Sequence, residues 1–214
     1  MNTGVVLDIG SYTGIYSFIS AIANEGSFIK AFEPHQRSFH ILEKNLKENN
    51  LKNINIFNFG LFESTGNIKF YNDYEGRVPA GFTSVNHRHV EKDSSSTICE
   101  VRDISEVLET ILKNEPICLV KIDIERGEIP VLKRGFDRFY ADKTIILCEI
   151  LDQEDFTKFE NLFTKQAYKK LLIDDKNKKY KVVSDLSEAK KVGRNVIFIP
   201  LEKIDEVLNV IKSC

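Results

Sequence analysis

The sequence lacks the marks of several protein classes. Its four cysteines, Cys99, Cys118, Cys148 and Cys214, have no metal-type or redox-type spacing. Cys118 and Cys148 lie in apolar runs, which is typical of buried thiols in a reducing compartment, so we expect a cytoplasmic protein. The N-terminus has no basic segment followed by an apolar one, and no apolar run approaches about 18 residues. A secretory signal and a membrane span are therefore not expected.

An excess of charge of one sign is also missing. The 30 basic and 32 acidic residues give a formal net charge of -2. Proteins that bind nucleic acid through its phosphates usually carry a basic excess, so we expect no nucleic-acid partner. The length of 214 residues and the 42% hydrophobic and 29% charged content fit one globular domain over residues 1–214. The oligomeric state is left open.

Short apolar runs alternate with amphipathic segments, which predicts βαβ units and a doubly wound parallel sheet. The predicted strands are 5–7, 27–32, 53–59, 117–123, 144–150 and 196–200, and the predicted helices are 15–23, 38–49, 103–113, 130–140, 155–166 and 202–212. Segments 169–173 and 180–183 flank a polar turn and predict a hairpin. Residues 66–101 interrupt the alternation and predict an inserted hairpin with a long loop.

The turn after the first strand carries two glycines, Gly10 and Gly14, directly before a helix. Glycines there let a ligand approach the backbone at the helix N-terminus. Glu33 ends the second predicted strand, where a carboxylate can accept hydrogen bonds from both hydroxyls of a ribose. The pair therefore favours a cofactor that contains a nucleoside. The alternative is a tight turn beside a solvated glutamate.

The identity of the nucleoside depends on Asp8. The dinucleotide motif Gly-x-Gly-x-x-Gly is absent, because Asp8 stands where its first glycine would be and Thr13 where its third would be. A carboxylate at this point repels a pyrophosphate and suits the cationic methionine end of S-adenosyl-L-methionine. An NAD-dependent oxidoreductase is therefore the weaker alternative, and Asp8 as a simple turn cap remains open.

The sequence resembles the FkbM family of S-adenosylmethionine-dependent methyltransferases. The resemblance runs from Val5 to about Pro200. Its matching pieces are VVLDIGSYTG, AFEPHQRSFHILEKNLKEN, FGLFESTGNIKFY, LVKIDIERGEIPVLKRG and ILCEI. It implies a class I methyltransferase (Rossmann-like) fold, with a mostly parallel seven-stranded sheet, helices on both faces and an antiparallel C-terminal strand pairing.

The resemblance also implies S-adenosyl-L-methionine as cofactor and a hydroxyl of a sugar, glycolipid or small metabolite as methyl acceptor. It implies that the first two motifs hold the methionine end and the ribose, and that residues after the third strand lie by the adenine. The expected cofactor contacts are Asp8, Gly10, Ser11, Tyr12, Gly14, Glu33, Pro34, Phe59, Gly60 and Leu61.

The sequence departs from the family in two places. The family motif Asp-x-Glu-Gly-x-Glu is here Asp123-Ile124-Glu125-Arg126-Gly127-Glu128, so an arginine takes the place of the glycine. This change affects the acceptor side of the expected site. Family members also commonly carry chain before the first strand, where a lid or substrate-binding helix would lie. Both departures leave open a catalytically silent module that binds the cofactor and regulates a partner.

Carboxylates gather where the fourth and fifth predicted strands end. Asp123, Glu125 and Glu149 are expected at the sheet edge that binds ligands, as groups that accept a proton from the acceptor hydroxyl or orient it. An ion pair between Lys121 and Glu125 is an alternative. A divalent cation is another, although we predict no metal. In the inserted loop, residues 77–92 carry His87 and His89 and are a candidate acceptor contact, or an ordinary solvated loop.

Overall fold

The computed structural model describes residues 4–24, 26–71, 96–151, 153–163, 168–174, 176–189 and 193–213. Its strands are β1 Val5–Ile9, β2 Phe28–Phe32, β3 Ile54–Phe57, β4 Gly60–Phe62, β5 Gly66–Tyr71, β6 Ser96–Asp103, β7 Ile117–Ile122, β8 Ile145–Glu149, β9 Tyr168–Asp174, β10 Lys179–Val183 and β11 Asn195–Pro200. Its α-helices are α1 Ile15–Ala23, α2 Gln36–Asn49, α3 Ile104–Val107, α4 Glu128–Ala141, α5 Gln153–Phe163 and α6 Ile204–Ser213.

The main sheet has eight strands in the order β10-β9-β11-β8-β7-β1-β2-β3. The five neighbouring strands β8, β7, β1, β2 and β3 are parallel to one another. Strand β11 pairs antiparallel with β8, β9 with β11, and β10 with β9. The doubly wound fold and the antiparallel C-terminal pairing are therefore confirmed. The count of seven strands was wrong by one, because the second arm of the predicted hairpin pairs with β9 along its whole length and extends the sheet.

Helices cover both faces of the main sheet and set the two cores. The larger core packs the aromatic and aliphatic side chains of α3, α4 and α5 against one face, including Phe136, Phe139 and Phe159. A smaller core around Ala21 and Ile29 lies under α1 and α2 on the other face. Burial on two faces explains why the parallel strands are almost uniformly apolar. Among the described segments, every helix is too short or too polar to cross a lipid bilayer.

The predicted third strand is divided in the structure. After β3 the chain turns at Asn58, whose side-chain amide donates to the Glu33 carbonyl oxygen at 2.9 Å. It then enters β4, which belongs to a separate sheet in the order β4-β6-β5. The predicted inserted hairpin corresponds to the antiparallel pair β5 and β6. The candidate acceptor segment 77–92 lies outside the described residues.

The helix predicted at 103–113 begins one residue later. The Asp103 side chain caps it by accepting a hydrogen bond from the Ser105 N–H at 2.8 Å, and also forms an ion pair with Arg134 at 2.9 Å. Its second part, Leu108–Leu112, is a π-helical turn. β7 follows this helical segment directly. The chain thus returns from β3, at the edge of the main sheet, to β7 at its centre. The carboxyl ends of β1 and β7 thus lie side by side at the switch point, where such sheets bind ligands.

Candidate functional site

The glycine turn brings the ends of β1 and β7 into close contact. Gly10 has φ +80°, and a Cβ atom there would lie 2.1 Å from the Asp123 carbonyl oxygen. No other residue type fits, because a side chain would meet backbone and adopt a strained φ. The N–H groups of Gly10 and Ser11 both donate to the Phe32 carbonyl oxygen, at 3.0 and 3.1 Å. The turn is therefore fixed to both neighbouring strands.

Glu33 is tied to the same turn through its carboxylate. One oxygen accepts the Tyr12 N–H at 2.8 Å and the other accepts the His35 N–H at 2.9 Å. Only 6% of the residue is exposed. Burial raises the pKa of Glu33 to about 7, although the two backbone donors and the Lys121 charge oppose the rise. The carboxylate keeps free lone pairs at the wall of a cleft.

This cleft has a volume of about 330 Å³, at the lower end of the range for sites that enclose small molecules. Its lining comes from the glycine turn and the start of α1, from the chain at the end of β2, from the small sheet, and from the end of β7 and the loop after it. The residues that line it are Gly10, Ser11, Tyr12, Ile15, Tyr16, Glu33, Pro34, His35, Gly60, Leu61, Phe70, Val101, Lys121, Asp123, Ile124 and Glu125.

A buried ion pair lies next to the turn. Asp8 is 1% exposed, and its Oδ2 accepts the Ser17 hydroxyl at 2.6 Å. Its Oδ1 is 3.4 Å from the Lys121 Nζ and has no hydrogen-bond partner of good geometry. The same ammonium donates to the Gly10 carbonyl oxygen at 2.7 Å and lies 3.9 Å from Asp123. Lys121 therefore pairs with Asp8 and Asp123, and not with Glu125 as in the alternative that the sequence left open.

Three carboxylates gather beyond the ends of β7 and β8. Oxygen atoms of Asp123, Glu125 and Glu149 all lie within 4.8 Å of one another. Burial and the neighbouring Asp123 charge raise the pKa of both Glu125 and Glu149. Carboxylates in this condition accept protons more readily than solvated ones. Their arrangement is also one that a divalent cation can use.

The loop that carries Asp123 and Glu125 is held by a fourth carboxylate, that of Glu128. Glu128 is 6% exposed, and its carboxylate accepts the Ile124 N–H at 2.9 Å. Burial raises its pKa to about 7. Glu128 lies in the first turn of α4 and holds the loop through this hydrogen bond, but it does not line the cleft.

Known proteins that resemble this chain identify its family. The profile of the methyltransferase FkbM domain matches residues 8–182. The chain belongs to the FkbM methyltransferase family. An FkbM methyltransferase from Methylobacillus flagellatus KT has a similar fold, with a TM-score of 0.58 and 12% identity over 92% of this chain and 43% of that one. The chain thus spans less than half the length of that structure.

Two further solved structures share the fold of this FkbM domain. A precorrin-6y C5,15-methyltransferase from Geobacter metallireducens GS-15 gives a TM-score of 0.50 with 12% identity, covering 93% of this chain and 79% of that one. An rRNA methylase from Streptococcus thermophilus also gives 0.50, with 11% identity over 93% and 87%. A search of curated proteins found no relative. Identities this low establish the fold alone.

Family membership makes S-adenosyl-L-methionine the cofactor of this FkbM domain, and the cleft fits it. The buried Glu33 carboxylate is held by backbone donors and lines the cleft, which is what the hydroxyls of a ribose require. The small sheet contributes apolar lining through Leu61, Phe70 and Val101, which suits a flat base. The residues present therefore match a cofactor that carries an adenosyl group.

The structure explains the departure in the family motif. Arg126, where the family has glycine, adopts φ +83°, and Glu125 before it adopts φ +55°. Gly127 has φ -94° and does not need to be glycine. The backbone at position 126 thus has a positive φ that glycine adopts freely, and the arginine adopts a conformation that is strained for a residue with a Cβ atom.

The expected cofactor contacts divide into two groups. Seven line the cleft: Gly10, Ser11, Tyr12, Glu33, Pro34, Gly60 and Leu61. Three do not. Asp8 lies beneath the turn, and a Cβ atom on Gly14 would meet Leu42 and Phe18. Phe59 packs against Phe32, Phe57 and the Arg102 guanidinium. Of the expected catalytic acids, Asp123 and Glu125 line the cleft and Glu149 adjoins them.

Other cleft residues were not predicted as contacts. Ile15 and Tyr16 follow Gly14 at the helix start, so their place in the motif is a usable signal. His35 follows Pro34 in the same way, and burial lowers its pKa. Phe70, Val101 and Ile124 come from segments whose approach depends on the second sheet and the strained turn. The sequence carries no local signal for these three.

Proposed function

We propose that this FkbM domain transfers the methyl group of S-adenosyl-L-methionine to a hydroxyl oxygen of a sugar, glycolipid or small metabolite. When bound, the cofactor supplies a methyl group on a positively charged sulfur. The observation that carries the proposal is the meeting of Asp123, Glu125 and Glu149 within 4.8 Å beyond the ends of β7 and β8, where Asp123 and Glu125 line the cleft. Glu33, Gly10, Ser11 and Tyr12 hold the cofactor, and the three acids face the acceptor.

The acids suit a hydroxyl acceptor for two reasons. A carboxylate accepts the hydroxyl proton as the oxygen attacks, and the raised pKa values of Glu125 and Glu149 favour that transfer. A carboxylate also orients a neutral polyol by accepting hydrogen bonds, and holding the acceptor in line supplies much of the rate. Asp123 is the central acid, because it lines the cleft and contributes to the raised pKa of the other two.

The charge of the molecule supports a small acceptor over a nucleic acid. The chain has a formal net charge of -2, and three carboxylates gather at the acceptor end. Both features repel phosphates, so we expect no salt-dependent binding of RNA or DNA. We also propose that the chain works as a single domain in the cytoplasm. The free thiols of Cys99, Cys118 and Cys148 support a reducing compartment.

Labelled cofactor tests this proposal. S-adenosylmethionine with a labelled methyl group is incubated with the protein and a cell extract, which is then separated into metabolites, glycolipids, RNA and protein. We expect label in metabolites or glycolipids, loss of label with Asp123→Asn, and no loss with the exposed control Glu48→Gln. Label in RNA contradicts the acceptor class. Binding of S-adenosylhomocysteine without any transfer favours the silent module. Loss of transfer on chelation identifies the divalent-cation alternative.

A further inference from the structure

Lys121 is buried between the glycine turn and Asp123. Only 6% of the residue is exposed, and its ammonium lies near the end of β7. It donates to the Gly10 carbonyl oxygen at 2.7 Å and lies 3.4 Å from Asp8 and 3.9 Å from Asp123. The centre of the Tyr16 ring is 5.1 Å away. Every one of these partners belongs to the glycine turn, to the strand or helix beside it, or to the acceptor side.

Two other buried lysines show what an ordinary structural pair looks like here. Lys30 binds Glu115 at 2.5 Å and the Ile111 carbonyl oxygen at 3.0 Å. Lys170 binds Glu160 and the Ser184 carbonyl oxygen. Each has one carboxylate and one carbonyl as partners, and neither lines the cleft. Lys121 instead lies between two carboxylates, Asp8 beneath the glycine turn and Asp123 on the acceptor side.

We propose that Lys121 is a positioning residue that joins the cofactor half of the site to the acceptor half. Its ammonium holds the glycine turn through the Gly10 carbonyl and holds the Asp123 carboxylate through charge. A buried ammonium loses its hydration, so its remaining partners fix it strongly in place. The turn and the acid thereby keep one relative position. The part that concerns Asp123 rests on the proposed function, whereas the part that concerns the turn does not.

The same charge acts on acids in both halves. Lys121 opposes the raised pKa of Glu33 on the cofactor side and that of Glu149 on the acceptor side. The other groups acting on Glu33 are the Asp8 charge and the N–H donors of Tyr12 and His35, and the Cys99 thiol is also close enough to interact. Removing the ammonium therefore shifts the ionisation of Glu33 to higher pH. A residue with a purely structural role elsewhere has no such effect.

The test compares Lys121→Met with the matched control Lys170→Met. Titration calorimetry with S-adenosylhomocysteine is run from pH 6 to 9, beside thermal unfolding. We expect Lys121→Met to weaken binding at least tenfold and to move the midpoint of the affinity-against-pH curve upward. We expect Lys170→Met to lower the unfolding temperature and to leave affinity and midpoint unchanged. Wild-type affinity and midpoint in Lys121→Met overturn the inference.

A second variant keeps the test decisive if Lys121→Met fails to fold, since that change leaves Asp8 buried without its cation. The double variant Asp8→Asn with Lys121→Met removes both charges and is compared with Asp8→Asn alone. Weaker binding in the double variant supports the inference, and equal binding overturns it. Failure of the wild-type protein to bind S-adenosylhomocysteine counts against the cofactor site itself. Binding that is equal in wild type and variants counts only against Lys121.

Discussion

The two ends of the cleft hold their carboxylates in different ways. At the glycine-turn end, both oxygens of Glu33 accept backbone N–H groups, from Tyr12 and His35. At the acceptor end, carboxylate oxygens of Glu125 and Glu149 lie within 4.8 Å of one from Asp123, and burial together with the Asp123 charge raises their pKa. Backbone N–H groups hold the carboxylate at the first end, whereas the carboxylates at the second end repel one another.

This difference has a functional meaning. An acid held by backbone donors has a fixed position before any ligand arrives, which lowers the cost of binding. Acids that repel one another gain from a proton or a hydrogen-bond donor placed among them. We therefore expect substitutions at the first end to change cofactor affinity and substitutions at the second end to change turnover.

The largest effect is expected from Gly10→Ala. The added Cβ atom would lie 2.1 Å from the Asp123 carbonyl oxygen at a φ of +80°, so β1 and β7 must separate. We expect a loss of stability of at least about 3 kcal/mol, measured by urea unfolding. Gly66→Ala is the control, because nothing lies within 4 Å of its Cβ position. Equal midpoints for the two variants would show that the close approach is not required.

Glu33→Ala is expected to weaken S-adenosylhomocysteine binding by at least about a hundredfold. Two charge-assisted hydrogen bonds to ribose are lost, each worth about 1.5–3 kcal/mol. Asp123→Ala is the counterpart at the other end, and we expect it to reduce turnover while changing affinity much less. Calorimetry and label transfer on both variants give the two readouts. An equal loss of affinity in both removes the division of roles.

Cofactor affinity is expected to rise with pH through about 7, the pKa to which burial raises Glu33. Ribose hydroxyls donate to the ionised carboxylate, so affinity falls by about tenfold per pH unit well below that value. Calorimetry from pH 5 to 9 measures the curve. The curve of Glu33→Gln should be flat over the same range, and a flat curve in the wild-type protein contradicts the assignment.

The free energy of unfolding of the ligand-free protein should fall as the pH rises, in contrast to the cofactor affinity, which rises. The folded pKa of Glu33 lies above its ordinary value of 4.5, so the stability it contributes is complete below about pH 4.5. That contribution is lost as the pH rises through about 7, and Glu128 adds an effect of the same sign. Urea unfolding at pH 5 and pH 8 measures the difference. Glu33→Gln should reduce it, and an unchanged difference would exclude Glu33 as its source.

The smallest effect is expected from Arg126→Gly, which restores the family residue. Relief of the φ of +83° should stabilise the protein by about 1 kcal/mol. The control Lys133→Gly, on the exposed face of α4, should destabilise it by about 1 kcal/mol. Thermal unfolding gives both signs. A loss of stability in Arg126→Gly would show that contacts of the arginine outweigh its backbone strain.

The sequence predicts the first end of the cleft better than the second, for a physical reason. Gly10, Tyr12 and Glu33 lie within one βαβ unit, and their hydrogen bonds join neighbours about 20 residues apart. A motif in one short stretch therefore describes a complete arrangement. The alternation of strands and helices predicted the doubly wound parallel sheet in the same way, since each βαβ unit is local.

Contacts between segments that lie far apart in the sequence could not be predicted from such local patterns. The sequence offered Glu125 as an alternative partner of Lys121, yet the Lys121 ammonium pairs with Asp123 and with Asp8, on the neighbouring strand β1. Phe59 was expected at the adenine, but packing against Phe32 and Phe57 keeps it in the core. The eighth strand was visible as a hairpin arm, whereas its pairing as a sheet edge was not. Which of several acids a buried cation meets depends on the sheet register.

The most direct test of the account is paired titration calorimetry of the unmodified protein with S-adenosylhomocysteine and with NAD at pH 8. The buried Glu33 carboxylate and the Gly10 turn predict saturable binding of S-adenosylhomocysteine. The turn lacks the Gly-x-Gly-x-x-Gly motif that holds a pyrophosphate, so we expect no binding of NAD. Saturable binding of NAD with none of S-adenosylhomocysteine would contradict the account.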